Sequence, residues 1–342
     1  MSTRRVSIKD VAREAGVSVT TVSHALNGKG RLNPDTRRKV QEVAQRLGYR
    51  PNPAARSLVS GRTGLIAVVT SLPTQPRIEF SEVAYFTDLI GAATGAAVAR
   101  DVALVVAPPG DRGGFVWDRV PLDGVIVIDP LVGEPSLPIL RERRIPFVTI
   151  GADPSGVGTD DAVVEADEDD GTCRLLDHMA ARGAERIGLL TVPPLNAFLA
   201  DTRSCFERWT QREGRPLLVS QLELHGLARD REAAVTRAVA GFMDRAQPDA
   251  IYAPLEMLGA AVSQSLSALG KRIPDDVMLA TTYDAGRVEI ADPPITTLTF
   301  DSREMGRRAA ELVLDLVEGR RSAPVRETVP TRLEPRGSTA RG

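Results

Sequence analysis

Residues 8–58 read IKDVAREAGVSVTTVSHALNGKGRLNPDTRRKVQEVAQRLGYRPNPAARSL, and the organisation of the whole chain follows from how this stretch folds. Ser7 stands just ahead of it with Asp10 three residues on, the spacing of a capping box that satisfies the orphan amides of a helix start. Ile8, Val11, Ala12 and Ala15 then fall on one helical stripe, and Gly16 ends the helix in a left-handed turn. Ser18 caps a second helix, VTTVSHALN, with Val19, Val22 and Leu26 at helical spacing and Asn27-Gly28 as its stop. Asn33 and Pro34 supply the cap and first residue of a third helix, whose apolar stripe is Val40, Val43, Ala44 and Leu47 and whose close is Gly48. A glycine-containing link from Ala15 to Ser18 between helices one and two is a helix-turn-helix layout.

Charge sets this segment apart. The 342-residue chain carries a net charge of −2. Residues 1–62 hold 13 Lys/Arg against 4 Asp/Glu, a balance of +9, which leaves −11 on the remaining 280 residues. A basic head on an acidic body points to a polyanion at one end and a different ligand at the other. Hydrophobic residues are 42% and charged residues 26%, ordinary values for a globular chain. No apolar run reaches the roughly 18 residues of a membrane span. The N-terminal MSTRRVSIKD has no apolar stretch of the secretory kind. Cys173 and Cys205 fit no CxxC or zinc spacing, so a reduced, cytoplasmic protein without metal or cofactor is expected.

The stretch from Ile8 to Leu58 resembles, without a gap, the DNA-binding head of the lactose-repressor (LacI/GalR) family of bacterial transcription regulators, and the rest of the chain has that family's length and order of elements. The resemblance implies that Val19, Thr20 and His24 read bases in the major groove, where a recognition helix lays its N-terminal side chains. It also places Ser7, Ser18, Thr21, Ser23 and Asn27 at phosphates. Taken alone, Val19 also reads as a core residue and His24 as an ordinary surface histidine.

Residues 49–62, YRPNPAARSLVSGR, follow the third helix, and Pro51 and Pro53 forbid its continuation. The helix that remains, around Ala54 to Leu58, is too short to stand alone. In the resembled family this is the hinge helix, which pairs with its copy in the minor groove. Leu58 then corresponds to the wedge between base steps, and Asn52, Ala55 and Arg56 to its flanking contacts. One head reads half a site, so a homodimer on a palindromic operator is expected.

From Gly64 short apolar runs alternate with amphipathic helices. Strands are predicted at 65–69, 102–107, 124–128, 146–150, 187–190, 250–253, 277–281 and 296–300. Helices are predicted at about 81–99, 136–144, 169–182, 196–213, 229–245, 254–269 and 302–318. Alternation of this kind gives parallel sheets with helical crossovers, and there are too many strands for one sheet. The expected fold is therefore an all-α helix-turn-helix head on an α/β periplasmic-binding-protein-like core of two Rossmann-like subdomains. The resemblance implies a DNA-binding domain at 1–50, a hinge at 51–62 and an effector-binding and dimerisation domain at 63–335. Within the last, the N-subdomain spans about 63–182 and 300–323, and the C-subdomain about 183–299 and 324–335. No leucine heptads follow TRLEPRGSTARG, so a tetramerisation helix is not expected.

In such a core a small-molecule effector sits at the carboxyl ends of the strands. Candidates from those loops are Ser71, Phe80, Phe86, Asp129, Asp170, Arg203 and Asp284. Asp170, Arg203 and Asp284 match family positions that hold sugar hydroxyls. Each also has a plain reading: Asp170 as a helix cap, Arg203 as a solvated face, Asp284 as a turn residue, and Phe80 and Phe86 as core. Pro254-Leu255 stands where the family usually has a polar-Asp pair, and the glycine-rich segment 108–123 is short for the usual helix. These departures predict an apolar or aromatic effector, with Phe115 and Trp117 and their neighbours Asp111 and Arg112 reaching the cleft, or a degraded site.

Catalysis is not expected. The chain lacks GxxxxGK[ST], GxSxG and HExxH, and His24, His178 and His225 form no recognisable triad. The function expected is a transcriptional regulator, a repressor rather than an activator, switched by a sugar or related metabolite. The alternative is a regulator controlled by a protein partner or an apolar ligand.

Overall fold

The computed structural model describes residues 6–26, 32–50, 61–71, 84–108, 110, 114–157, 160–223, 230–283 and 290–341. The chain divides into two compact units, one ending at Thr63 and one beginning at Gly64. In the first, α1 (Ile8–Ala15), α2 (Val19–Leu26) and α3 (Pro34–Arg46) close around Val11, Ala12, Ala15, Val22, Ala25, Val40, Val43 and Ala44. The cap signals act as the sequence anticipated. Asp10 accepts from the Ser7 amide at 3.0 Å and from its hydroxyl at 2.7 Å. Gly16 takes φ 68°, and Asn33 accepts from the Asp35 amide at 2.9 Å ahead of Pro34. Arg46 reaches Glu14 at 2.8 Å and joins α3 to α1.

The second unit holds two six-stranded sheets. The first contains β1 (Leu65–Thr70), β2 (Ala103–Ala107), β3 (Gly124–Ile128), β4 (Phe147–Ile150), β5 (Ala162–Ala166) and β11 (Val325–Val329), in the order β11-β5-β4-β3-β1-β2, all parallel. The second contains β6 (Ile187–Thr191), β7 (Leu218–Gln221), β8 (Ala250–Ala253), β9 (Met278–Thr282), β10 (Thr296–Phe300) and β12 (Thr331–Glu334), in the order β12-β10-β9-β8-β6-β7. Only the edge pair β10–β12 runs antiparallel, with Leu298 opposite Leu333. Seven helices complete the unit among the described residues: α4 (Ala84–Val98), α5 (Ser136–Glu142), α6 (Glu168–Ala181), α7 (Ala197–Arg212), α8 (Arg231–Ala246), α9 (Glu256–Ala268) and α10 (Ser302–Val317). Among the described residues no helix is long and apolar enough to cross a membrane.

The central strands are buried on both faces, as parallel sheets require, while the edge strands β2, β7, β11 and β12 are partly exposed. Ile66, Val68, Ile126 and Ile128 meet Leu89 and Ala93 of α4 and Ala309 and Val313 of α10. Ala67, Val69, Val125 and Val127 meet Leu137 and Leu140 of α5 and Trp117. Short strands flanked by charge escaped the sequence reading: AVVEA at 162–166, LVSQ at 218–221, and the pair VRETV and TRLE at 325–334.

Two boundaries differ from the expected subdomains. Helix α6, expected with the first sheet, packs on the second: Leu175, Leu176 and Met179 sit against Leu189, Phe206, Trp209, Tyr252 and Leu298. Strand β11, expected with the second sheet, extends the first. The reason is that the chain changes sheets in very short links, at Asp167, Asp301 and Pro330. Two of these links are bound together. The Asp167 amide donates to Val329 O at 2.9 Å, and the Thr331 hydroxyl donates to Asp167 O at 2.9 Å. Gly171 lies directly beneath: a Cβ there would fall inside contact distance of Thr331 Oγ1 and 3.0 Å from Leu298.

Gly306 is equally constrained. A Cβ there would collide with the backbone carbonyl of Leu89, so α10 rests on α4 with no room for a methyl group. Gly306→Ala should therefore destabilise the second unit by roughly 1–3 kcal/mol. Chemical denaturation of the full chain measures this, and an unchanged midpoint would show that the helices part at no cost.

Candidate nucleic-acid interface and ligand cleft

Helix α2 buries Val22 and Ala25 and turns the opposite face outward. Val19 is 40% exposed, so it is a surface residue and the core reading fails. Thr20 and His24 are exposed on the same helix. Ser18 accepts from the Thr21 amide at 3.0 Å and shares a hydrogen bond of 2.8 Å with the Thr21 hydroxyl, which fixes the helix start. Ser7 is held by Asp10 as described, and Ser23 is half-buried. Asn27 and the hinge positions Asn52, Ala55, Arg56 and Leu58 lie outside the described residues.

In the second unit the carboxyl ends of β3, β5 and β9 and the start of α4 bring four polar side chains together. Asp129 follows β3 with φ 48°, and Tyr283 follows β9 with φ 62°. Positive φ at residues other than glycine is strained, and such strain gathers at ligand sites. Each is pinned by a backbone bond to the neighbouring strand: Asp129 N to Ile150 O at 2.8 Å, and Tyr283 N to Leu298 O at 2.8 Å. Tyr85, at the start of α4, donates to Asp129 Oδ1 at 3.2 Å. Its ring meets Tyr283 edge-on at 5.5 Å and Phe300 at 5.9 Å. The Tyr283 hydroxyl donates to Asp88 at 3.2 Å and lies 3.1 Å from the Ser302 hydroxyl. Asp88 is in turn held by Arg303 at 3.0 Å. Glu168, the first residue of α6, completes the group.

Burial raises the Asp129 carboxyl to about 7, with the Tyr85 hydroxyl opposing the shift. Burial also holds Glu168 well above the usual carboxylate range, reinforced by the negative charges of Asp129 and Asp201. Tyr85 is likewise kept protonated by burial and by Asp129 and Glu168. Among the described residues neither Asp129 nor Glu168 has an ion-pair partner, so nothing offsets the cost of their charge. Carboxyls whose titration is raised by burial, beside phenol hydroxyls, both donate and accept hydrogen bonds, which suits a ligand bearing hydroxyl groups. Among the described residues no three His, Cys, Asp or Glu are grouped to hold a metal ion.

The other expected cleft residues are dispersed. Ser71 is buried at the end of β1, and its hydroxyl has no partner among the described residues. Asp170 is exposed and paired with Arg174 of its own helix. Arg203 is half-buried and donates to Glu207 at 2.6 Å. Phe86 is a correction: it packs in the first core, with Leu89 and Ala93 on its own helix, because the aromatic that faces the cleft is its neighbour Tyr85. Trp117 is another: it stacks on Phe115 at 4.6 Å and joins the apolar layer under β1 and β3. Phe80 and Asp284, with Asp111 and Arg112, lie outside the described residues. Pro254 is buried and Leu255 packs against the core of the second sheet. The expectation of an apolar or degraded site does not match the polar group around Asp129. Tyr85, Glu168 and Tyr283 were missed, although each lies one or two residues from a residue the sequence singled out.

Comparison with known proteins gives the same division. Residues 7–52 match the family of bacterial regulatory proteins of the lacI type, and residues 176–339 match a periplasmic binding protein-like domain. The chain is 29% identical to the HTH-type transcriptional regulator CelR of Thermobifida fusca over 98% of each chain. It superposes on the structure of the transcriptional regulator CelR in complex with cellobiose with a TM-score of 0.70 and 26% identity, covering 98% of this chain and 100% of that one. The lac repressor dimer bound to operator and an anti-inducer shares the fold, with a TM-score of 0.80 at 20% identity, covering 98% and 99%. Head, core and whole-length relatives agree: the chain carries a lacI-family DNA-binding head on a periplasmic binding protein-like domain, and it is similar over its whole length to HTH-type transcriptional regulators.

Proposed function

We propose that this protein is a sequence-specific DNA-binding regulator of transcription, a repressor that grips a palindromic operator as a homodimer and responds to a small-molecule effector. The observation that carries this reading is the face of α2, where Val19, Thr20 and His24 stand exposed while Val22 and Ala25 anchor the helix. Three unlike side chains on the exposed face of one helix, two of them in its first turn, are what major-groove readout needs: an apolar contact for a thymine methyl, and a hydroxyl and an imidazole for base edges. Ser7, Ser18, Thr21, Ser23 and Asn27 serve as phosphate contacts around them. Residues 1–50 are the DNA-binding domain, and 51–62 the hinge, with Asn52, Ala55, Arg56 and Leu58 in the minor groove. Residues 63–335 bind the effector and dimerise, and the protein works in the cytoplasm.

The effector is a sugar or a related hydroxyl-bearing metabolite. Asp129, Glu168, Tyr85 and Tyr283 support this, since two carboxyls and two phenols match hydroxyl groups better than an apolar ligand. The cellobiose complex of a related regulator supports it as well.

Thr20→Ala should weaken binding to the operator by about 1–3 kcal/mol and leave random DNA unaffected. Fluorescence anisotropy against both duplexes decides this, and equal losses would move Thr20 from bases to phosphates. The same titrations repeated across salt concentrations should give a log–log slope of about −0.9 per phosphate contacted. A flat response would rule out the head as a DNA clamp.

Asp129→Asn should raise the effector concentration needed to release operator by about tenfold or more, with operator affinity unchanged when no effector is present. The same variant tests the electrostatics. Asp129 titrates at about 7 in the fold, against an ordinary aspartate value of 3.8, so the folded chain holds the proton more tightly. Its contribution to stability must then fall as pH rises through that window and level off above it. Asparagine mimics the protonated carboxyl, so the variant should melt higher than the parent at pH 8, and a lower melting temperature would contradict the assignment.

A further inference from the structure

Cys173 on α6 and Cys205 on α7 are free thiols 32 positions apart in sequence, yet their sulfurs lie 2.9 Å apart. A bonded disulfide needs about 2.05 Å. The Cys205 thiol is directed to the carbonyl of Asp169 at 3.4 Å, which leaves Cys173 to donate to the Cys205 sulfur. The two helices are stitched on either side of this pair. Arg208 of α7 pairs with Asp169 of α6. One turn further on, Trp209 Nε1 donates to Asp177 at 2.7 Å and Arg212 reaches the same carboxylate at 3.2 Å. Leu175, Leu176, Phe206 and Trp209 fill the layer behind. The sulfurs are therefore held together by the packing of the fold.

Exposure orders the chemistry. Cys173 is half-buried, and Cys205 is fully buried. A small oxidant meets Cys173 first, and burial keeps the Cys205 thiol protonated until a partner arrives.

We infer that Cys173 and Cys205 are an oxidisable pair that hydroperoxide closes into an intramolecular disulfide between α6 and α7. The Cys173 thiolate attacks one oxygen of hydrogen peroxide, the O–O bond breaks, and hydroxide leaves and takes up a proton as water. The resulting sulfenic acid is then attacked by the Cys205 sulfur, the S–O bond breaks, and its oxygen departs as water with the Cys205 proton. Two thiols and one peroxide give one disulfide and two waters, with two electrons passing from the sulfurs to the peroxide. The new bond fixes the first turns of α6, which begins at Glu168, to the turn of α7 that carries Arg203.

The full-length native chain, reduced and then treated with hydrogen peroxide, is unfolded in the presence of iodoacetamide and weighed intact. The expected result is loss of the mass of two hydrogens and loss of both alkylation sites, with both sites restored by dithiothreitol. In Cys205→Ser the same treatment should add oxygen to Cys173. In Cys173→Ser the buried Cys205 should stay fully alkylatable. The inference is overturned if the treated parent still takes up two alkyl groups, if Cys173 gains oxygen while Cys205 remains alkylatable, or if the chains cross-link into dimers.

Discussion

The arrangement of the second unit depends on a small knot of hydrogen bonds where the chain passes between its sheets. Asp167 donates its amide to Val329 and accepts the Thr331 hydroxyl on its carbonyl. Those two contacts join a link that leaves the first sheet after β5 to one that leaves it after β11. Residues on both sides of the knot inherit their positions from it. Glu168 enters the cleft because α6 starts one residue beyond Asp167. Arg174, further along the same helix, donates to the carbonyl of Thr331 at 3.0 Å and braces the same crossing.

The cleft has the opposite character from the head. In the head, exposed polar groups are spread over a helix surface where water screens them, and their value lies in pattern. In the cleft, Asp129, Glu168 and Tyr85 are gathered where water is scarce and no cation is bound to them among the described residues. Carboxyls so buried are costly to charge, and a ligand whose hydroxyls bond to them offsets that cost. The strained backbones of Asp129 and Tyr283 belong to the same design, because they aim two side chains from different sheets at one point.

The sequence revealed the head almost completely, because its helices are punctuated by local signals. Ser7 with Asp10, Gly16, Ser18 and Asn33-Pro34 each act within a few residues of themselves. It also revealed the long buried strands, such as GVIVI, whose apolar runs have one reading. It was less informative where contacts are distant. LVSQ and TRLE look like loops and become strands only because a neighbouring strand offers them hydrogen bonds. The cleft was found to within one or two residues for the same reason. Loops after strands mark the place, but which of Tyr85 and Phe86, or of Glu168 and Asp170, faces inward is decided by helix phase and packing. Pro254-Leu255 misled because its apolar character serves the second core and not the ligand.

Gly171 binds α6 to the second sheet. Thr331 and Leu298 of that sheet lie so close to it that no side chain fits. Helix and sheet therefore form one piece, and Glu168, on the first turn of that helix, belongs to it. Asp129 follows β3 and belongs to the first sheet. The two buried carboxyls of the cleft are thus carried by different sheets, and any shift of one sheet against the other changes the distance between them.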